Sequence, residues 1–331
     1  MADKEHVHFL RNVDSWNKWR EKTPNVKPNL RGIDLHASTF PHANFRETDL
    51  RAANLTSADL HGADFAHGIL RSANLSEAKL RGASFGGADL HLANFHRALL
   101  RRAHFANTYS KGANFDDASL CHANFSLANL NNASFNRADL AGANFGGANL
   151  NNADFSNAYV CGVDFSTASL IGTKFEDADL RDCRVYGISA WRVNLKGAKQ
   201  SNLIISTRSE PTITVDNLEV AQFLYLLLNN EKIRNVIDTI ARKLILILGR
   251  FTPERKAVLD TIREELRKRD YLPVLFDFDK PATRDITETM RTLAHLSRFI
   301  VADISDPKSI PLELQAVIPD LAVPVQPLLL K

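Results

Sequence analysis

Large apolar residues recur at every fifth position from Leu35 to Leu180, with Ser110 as the one exception. Two positions before each of them stands a smaller residue, which is Ala in 23 of the 30 cases, and the position between is usually Asn or Asp. A period of five fits neither the 3.6-residue turn of a helix nor the two-residue alternation of a strand. It is typical of a chain that turns a corner every five residues and places one large side chain inward on each side.

Four such sides close a coil of about 20 residues, and successive coils stack through parallel backbone hydrogen bonds. The pattern therefore predicts a mainly β structure, a quadrilateral parallel β-helix over residues 31–205, with the large and the small residue both inside. Asn and Asp are expected at the corners because their side chains hydrogen-bond the local backbone. From Phe115 to Leu180, Phe alternates with Leu or Val at the large position, which predicts Phe columns on two opposite sides of the coil.

The signature A-(D/N)-L-x-x over residues 31–200 resembles the pentapeptide-repeat family, as in Ala53-Asn54-Leu55. The resemblance implies a right-handed coil. Some members of that family inhibit topoisomerases by presenting an acidic, DNA-like rod. Here residues 31–205 carry 17 basic and 16 acidic residues, a net charge of +1 (17 − 16), so the rod is a poor mimic of DNA and this role is not expected.

The N-terminal end of the coil needs a cap because an open coil end exposes unpaired backbone. Residues 1–30 are expected to supply it as a helical cap. A helix over residues 12–22, stopped by the prolines that follow, places Trp16 and Trp19 on one face. We expect these two indoles to pack over the first coil.

Residues 206–242 are expected to form a helical cap and linker at the other end of the rod. Asp216 is predicted to be the N-cap of a helix over residues 217–229. Its apolar residues cover most of its girth, so this helix must be buried on more than one side. The 216–242 helices are therefore also a candidate homodimer surface, and the identity of any other protein partner stays open.

The repeat loses its large residue at Ser110. Either a bulge interrupts the coil at this point, or Tyr109 folds inward to fill the gap. Exposed apolar residues elsewhere on the rod are single and indicate no site.

Basic residues at twenty-residue spacing predict two outward columns on opposite sides of the rod, namely Arg31, Arg51, Arg71, His91 and Lys111, and His61, Arg81 and Arg101. One interpretation is a track for an acidic partner or nucleic acid. The other is a solvated charged surface that alternates with acids such as Asp49 and Asp59. The columns lack the interleaved aromatic residues of single-strand binders, so the solvated surface is favoured and nucleic acid is not expected as a partner.

Residues 243–331 alternate apolar strands with amphipathic helices. The predicted strands cover residues 244–248, 273–278 and 299–303, and a last apolar run covers 323–330. Fully apolar strands between helices predict a smaller α/β domain with a flavodoxin-like parallel sheet. Its ligand site is expected at the carboxyl ends of the strands.

Candidate ligand-binding residues follow the first of these strands. Gly249 lets the backbone turn sharply, and the helix that begins near Thr252 offers its N-terminus to a phosphate. Arg250 is the candidate cation between them. A phosphate-bearing molecule is therefore the candidate ligand, although no cofactor is required and no metal-ligand cluster, Ser-His-Asp set or Walker loop is visible.

The segments 246–251 and 299–318 resemble Toll/interleukin-1-receptor-like and nucleoside deoxyribosyltransferase-like domains, which are nucleotide-binding domains. That resemblance implies NAD or a nucleotide as the ligand and cleavage of its N-glycosidic bond by Asp303 and Glu313. A carboxylate there stabilises or attacks an oxocarbenium-like centre. A full domain of this type has a fifth strand and a final helix. The sequence has no further apolar run after the one at 323–330, so we expect the domain to be incomplete. The alternative is that Asp303 only caps a turn and Glu313 only faces solvent.

Bulk features place the chain among cytoplasmic proteins, since it has no stretch of membrane-spanning length and no apolar core of a signal peptide. Cys121 and Cys161 are expected about 9.6 Å apart, too far for a disulfide.

Two functions remain open. The chain is either a rigid interaction scaffold with a nucleotide-binding-like domain, or an NAD or nucleoside glycohydrolase regulated by its rod.

Overall fold

The computed structural model describes residues 2–210, 212–249, 253–277, 293–294, 296–303 and 323–328. The chain divides into two compact units, Met1–Leu226 and Leu227–Lys331. The division falls inside the predicted 206–242 cap and linker.

The first unit begins with two short helices, contains a stack of coils, and ends with a small antiparallel pair and a helix. Its elements are α1 (Lys4–Phe9), α2 (Val13–Lys22), β1 (Leu203–Ile204), β2 (Thr214–Val215) and most of α3 (Leu218–Asn229). The second unit alternates helices and strands. Its elements are α4 (Glu231–Lys243), β3 (Leu244–Gly249), α5 (Pro253–Lys268), β4 (Leu272–Asp277), β5 (Phe299–Asp303) and β6 (Val325–Leu328).

The stack of coils, here called the rod, is the predicted four-sided parallel β-helix. Isolated parallel bridges join each bridge residue to the one twenty positions later, from Asn29↔Asp49 to Arg184↔Ile204, without a slip. The bridge residues are the Asn and Asp positions, so these side chains lie on the sides of the coil and the prediction that they occupy corners is wrong. They still serve the corner, because their Oδ1 atom accepts the amide two residues later, as Asp64 accepts Ala66 N at 2.8 Å.

Each corner is a β-turn closed by the small inward residue, whose amide donates to the preceding large residue, as Ala53 N does to Leu50 O at 3.0 Å. The third residue of the turn has a positive φ, for example 52° at Ala52 and 66° at Gly112, which is the pattern of a type II turn. This conformation disfavours residues with a Cβ, and Gly occupies 11 of these turn positions. At Gly112 the space of a Cβ is filled by Leu92 of the preceding coil, whose Cδ2 would lie 2.8 Å away.

Phe side chains fill two opposite sides of the rod, as predicted. Seven rings from Phe45 to Phe165 form one column, with centroids 4.6–5.6 Å apart and nearly parallel planes. Five rings from Phe95 to Phe175 form the other. Rings of the two columns meet edge to face, as in the 5.5 Å pair of Phe85 and Phe95. The interior is therefore solid, with buried Ala methyls beside the rings.

The coil continues through Ser110 without a bulge, and Tyr109 stays 64% exposed, so both predicted alternatives are wrong. Thr108 and Ser110 are both buried. Ser110 Oγ donates to Thr108 Oγ1 at 2.9 Å, and Thr108 Oγ1 donates to Phe105 O at 2.8 Å. A Thr–Ser pair has as many side-chain heavy atoms as the usual Ala–Leu pair, so the larger residue two positions earlier compensates for the missing Leu.

Helix α2 seals the first coil, as predicted. Asn12 caps it by accepting Ser15 N at 2.9 Å. Trp16 is fully buried with its ring centroid 5.4 Å from that of Phe45, and so extends the Phe column by one ring. Trp19 stacks on Phe9 of α1, a helix that the sequence pattern did not predict.

Side chains of α2 also replace the backbone partners that a preceding coil would supply. Within the rod, each bridge amide donates to a carbonyl of the coil before it, as Asp64 N does to Ala43 O at 2.9 Å. Asn44 has no coil before it. Its amide donates instead to Asn17 Oδ1, and its carbonyl accepts Trp16 Nε1, both at 2.8 Å.

Helix α3 closes the opposite end of the rod, with Leu218 and Ala221 buried in its core. The amide of Ala190 donates to Gln222 Oε1 at 2.7 Å, which replaces the carbonyl of a following coil. The N-cap of α3 is Asn217, whose Oδ1 accepts Val220 N at 2.9 Å, and the prediction of Asp216 is wrong by one residue.

The reason for this one-residue shift is that the Asp216 carboxylate is already engaged. It accepts the amide of Asn202 in the last coil at 2.9 Å. Asp216 thus ties the chain before α3 to the rod, and the next residue caps the helix.

The second unit contains the predicted parallel sheet, with strand order β4–β3–β5–β6. Alternate residues of β3 face opposite sides. Leu246 packs in one apolar cluster with Ala294, and Ile247 packs in another with Leu259 of α5. Both faces are therefore covered within the described residues. The sequence pattern also predicts a helix near 285–296 and a short one around 312–318. Most of the first and all of the second lie outside the described residues.

Thr108 and Ser110 are expected to be energetically coupled. Ser110→Leu alone places a large side chain beside Thr108, so the free energy of unfolding should fall by about 1–3 kcal/mol. Thr108→Ala/Ser110→Leu restores the pair of the neighbouring coils and removes two buried hydroxyls, so it should be at least as stable as the wild type. A double-mutant cycle from denaturant unfolding, followed by far-UV circular dichroism, measures the coupling. Stabilisation by Ser110→Leu alone would contradict compensation by Thr108.

Gln222→Met is expected to fray the C-terminal end of the rod. The amide of Ala190 loses its acceptor, which costs about 1–3 kcal/mol. The buried thiol of Cys183, near the same end, should then react about tenfold faster with a thiol reagent. The rate is measured in a Cys121→Ser/Cys161→Ser background. Glu219→Met introduces the same side chain at an exposed position of the same helix and should label at the parent rate. Equal rates for both variants would show that Gln222 does not hold the last coil closed.

Candidate functional site

The structure brings two of the predicted site residues to one edge of the sheet. Gly249 is the last residue of β3, and Asp303 is the last residue of the neighbouring strand β5. The preceding residues Leu248 and Ala302 are paired in register, so the backbones of Gly249 and Asp303 lie side by side. Asp277 ends β4 and pairs with Gly249 from the other side. The remaining predicted residues, Arg250, Thr252 and Glu313, lie outside the described residues.

The connections place this edge at the point where the chain changes direction across the sheet. From β3 the chain passes through α5 to β4 on one side, and then to β5 on the other side of β3. Open α/β sheets bind ligands in the crevice at the carboxyl ends of two such strands. The carboxyl ends of β3 and β5 are thus a candidate ligand site by topology.

Part of the outward charge of the rod is neutralised by ion pairs between neighbouring side chains. Arg51 donates to Asp49 with Nη2–Oδ2 at 2.5 Å, and Arg181 makes the same contact with Asp179 at 2.6 Å. The hydrogen bond from the arginine holds the pKa of each carboxyl below its ordinary value. These pairs favour a solvated, nearly neutral surface over a continuous basic track.

A surface that the sequence pattern did not single out lies at the C-terminal cap. A groove of about 270 Å³ runs between the last coil and α3 and is here called the cap groove; it is lined by Ala190, Trp191, Arg192, Glu219, Gln222, Phe223 and Leu226. Trp191 is 57% exposed and Phe223 is 53% exposed. Trp191 lies at the outward corner position that Arg31 occupies in the first coil. Following this column of residues, spaced by twenty, to the end of the rod would have revealed Trp191 from the sequence.

The described part of the chain offers few further groups for metal binding or for reactive-thiol chemistry. It contains no group of three or more His, Cys, Asp or Glu side chains that could hold a metal ion. No helix among the described residues is long and apolar enough to cross a membrane. Cys121, Cys161 and Cys183 are free thiols. Burial raises the pKa of the Cys121 and Cys183 thiols, which lowers their reactivity.

Comparison with known families identifies the rod. A family model described as a pentapeptide repeat region matches residues 58–135, and one described as pentapeptide repeats (8 copies) matches residues 29–66 and 148–185. The rod of this chain belongs to the pentapeptide-repeat family. No curated protein matches the chain in a sequence search.

Solved structures of pentapeptide-repeat proteins are similar to parts of the chain. HetL from the cyanobacterium Nostoc, involved in heterocyst differentiation regulation, is 27% identical over 59% of this chain and 97% of its own, with a TM-score of 0.38. A protein of the Arabidopsis thaliana thylakoid lumen is 26% identical over 34% of this chain and 86% of its own, with a TM-score of 0.28. Full-length QnrB1, a plasmid-mediated fluoroquinolone resistance protein, is 22% identical over 52% and 90%, with a TM-score of 0.35.

Proposed function

We propose that this protein is a rigid interaction scaffold whose pentapeptide-repeat rod presents the cap groove to a protein partner. The observation that carries the proposal is the pair of large aromatic side chains, Trp191 and Phe223, that are more than half exposed at the groove. The rest of the rod suits a scaffold. Its interior is filled by stacked Phe rings, so it holds no ligand, and its two ends are closed by α2 and α3.

The composition of the cap groove suits protein recognition. Exposed Trp and Arg side chains are the residue types that contribute most to binding energy in protein interfaces. Apolar contact comes from Phe223 and Leu226, and Gln222 Oε1 already accepts the Ala190 amide. A partner therefore buries apolar surface without leaving this oxygen unpaired.

A second copy of the chain is the proposed partner. The groove holds one cation, Arg192, and one anion, Glu219. In a twofold interface the same patch of both copies is in contact, so residue i of one copy meets residue j of the other and the reverse. A patch with one charge of each sign and two aromatic residues is therefore complementary to itself. The proposed homodimer surface combines residues 190–192 of the last coil with α3, the first helix of the 216–242 region. Membrane and nucleic-acid partners form no part of this proposal, and three free thiols suit a reducing cytoplasm.

The wild-type protein is expected to sediment as a reversible dimer, and Trp191→Ala/Phe223→Ala is expected to weaken it. Loss of two aromatic anchors should raise the dimer dissociation constant at least about thirtyfold. Analytical ultracentrifugation over a concentration series measures it. Leu99→Ala/Tyr159→Ala removes two exposed apolar side chains from the side of the rod and is the matched control. A wild-type protein that stays monomeric, or a control that dissociates as readily, would contradict the second copy as occupant.

A second candidate function belongs to the α/β unit, and the meeting of Gly249 and Asp303 at the switch point of the sheet favours it. It is cleavage of the N-glycosidic bond of NAD or a nucleoside. Asp303 and Glu313 would be the catalytic carboxylates, and Gly249, Arg250 and Thr252 would hold the phosphates. This function rests on a nucleotide-binding, flavodoxin-like domain, and it needs no further cofactor.

Nicotinamide release from NAD tests this second function. The wild-type chain should release nicotinamide, and Glu313→Ala should abolish release because the oxocarbenium-like centre loses its stabilising carboxylate. Glu265→Ala removes an exposed carboxylate of α5 and should leave the rate unchanged. Chromatographic assay of nicotinamide gives the rates. Absence of release from the wild-type chain counts against catalysis, while leaving the scaffold role intact.

A further inference from the structure

Ion pairs on the rod recur at a few spacings along the chain. A base at the first position of a corner pairs with an acid two residues before it, as Arg51 does with Asp49, or with an acid eighteen residues later, as Arg71 does with Asp89. Pairs twenty residues apart also occur, as between Lys196 and Glu176. A base at this position therefore has several places on its own rod where a carboxylate can neutralise it.

Lys111 has no acid at any of these places. The residue two before it is Tyr109, the residue eighteen after it is Asn129, and those twenty residues away are His91 and Asn131. Lys111 has no ion-pair partner among the described residues. Arg81 and Arg101, on the opposite side of the rod, likewise have no acid at these spacings. The ring of His91, one coil before Lys111, contacts no acid in the described part of the chain. Asp89 Oδ2 accepts Arg71 Nε at 2.5 Å, and its Oδ1 accepts the His91 amide at 3.3 Å.

The unpaired cation faces a concave surface. A concavity of about 440 Å³, here called the side cavity, is lined by Arg71, Asp89, His91, Tyr109, Lys111 and Asn129. Small-molecule sites usually have volumes of about 300–1,000 Å³. The side cavity is therefore large enough for a ligand of modest size, and its bases outnumber its single acid.

Neutral donors stand beside Lys111 in the side cavity. The Oδ1 atom of Asn129 accepts the Asn131 amide at 3.3 Å, which leaves its Nδ2 group as a donor. The Tyr109 side chain is 64% exposed, so its ring offers an open flat face and its hydroxyl a further donor. Ammonium, amide and hydroxyl donors around one point suit an anionic oxygen cluster, and an exposed aromatic face suits a planar ring.

We propose that the side cavity binds a small phosphate-bearing ligand with a planar ring, of the class of a nucleoside monophosphate. The phosphate lies against Lys111 and Asn129, where the rod supplies no carboxylate of its own, and the base stacks on Tyr109. One site is assigned rather than a nucleic-acid track, because the neighbouring bases Arg51 and Arg71 are already paired with Asp49 and Asp89.

Isothermal titration of the full chain with adenosine monophosphate, adenosine and inorganic phosphate tests the proposal. Adenosine monophosphate should bind at least about tenfold more tightly than either fragment, and its binding should weaken with salt. Lys111→Ala should weaken it about tenfold through loss of a charge-assisted contact. Tyr109→Ala should weaken adenosine monophosphate about tenfold and leave inorganic phosphate unchanged.

Arg101→Ala is the matched control, because Arg101 is an exposed base half a coil away on the opposite side of the rod. It should bind as the wild type does. The proposal is overturned if adenosine monophosphate does not bind, if its binding is unchanged in Lys111→Ala, or if Arg101→Ala weakens it equally. Phosphate binding as tight as that of adenosine monophosphate would also overturn it, since the ring would then contribute nothing. Loss of this site would leave the cap groove and its dimer untouched.

Discussion

The match between two spacings holds this structure together. Parallel backbone ladders repeat at about 4.8 Å, and stacked aromatic rings prefer nearly the same separation. In the rod the Phe centroids of successive coils are 4.6–5.6 Å apart. One translation therefore satisfies the hydrogen bonds and the ring contacts together. The Ala methyl two residues before each large side chain leaves room for the ring, so a single five-residue frame specifies turn, ladder and core.

Because the interior of the rod is filled, any functional site of the rod must lie at its ends or on its outer surface. The ends are the costly part of the fold, because a terminal coil has backbone N–H and C=O groups that no neighbouring coil can pair. Side chains of two helices take over that pairing, Trp16 and Asn17 at one end and Gln222 at the other. The rod is thereby closed to end-to-end growth. A helix that covers the last coil also brings an outer face of its own, and this is where the cap groove arises.

The frame of five was enough to predict the coil, its Phe columns and the burial of Trp16, because these depend only on spacing along the chain. It could not predict the interior at Ser110, since the compensating atoms belong to Thr108 and only the pair conserves volume. The N-cap of α3 was missed because the Asp216 carboxylate is taken by an amide of the rod, a contact distant in sequence.

The candidate sites, like the fold, could be predicted from the sequence only in part. Apolar strands were enough to predict that Gly249 and Asp303 lie at strand ends. That these two strands are neighbours depends on the order of strands in the sheet, which the sequence pattern does not specify. Trp191 was missed because the inward residues of the frame decay near it, while its outward column continues to the end of the rod.

Departures from the repeat have different meanings on the two surfaces of the coil. An inward exception such as Ser110 must be compensated in the same coil, because the packed interior tolerates neither a void nor an excess of volume. An outward exception has no such requirement. Water solvates an unpaired Lys111 or an exposed Trp191 at modest cost to the fold, so nothing in the architecture requires a Tyr at 109 or a Trp at 191. In a solenoid whose fold is specified by its inward residues, the outward positions are where selection for a ligand or partner can act independently of stability.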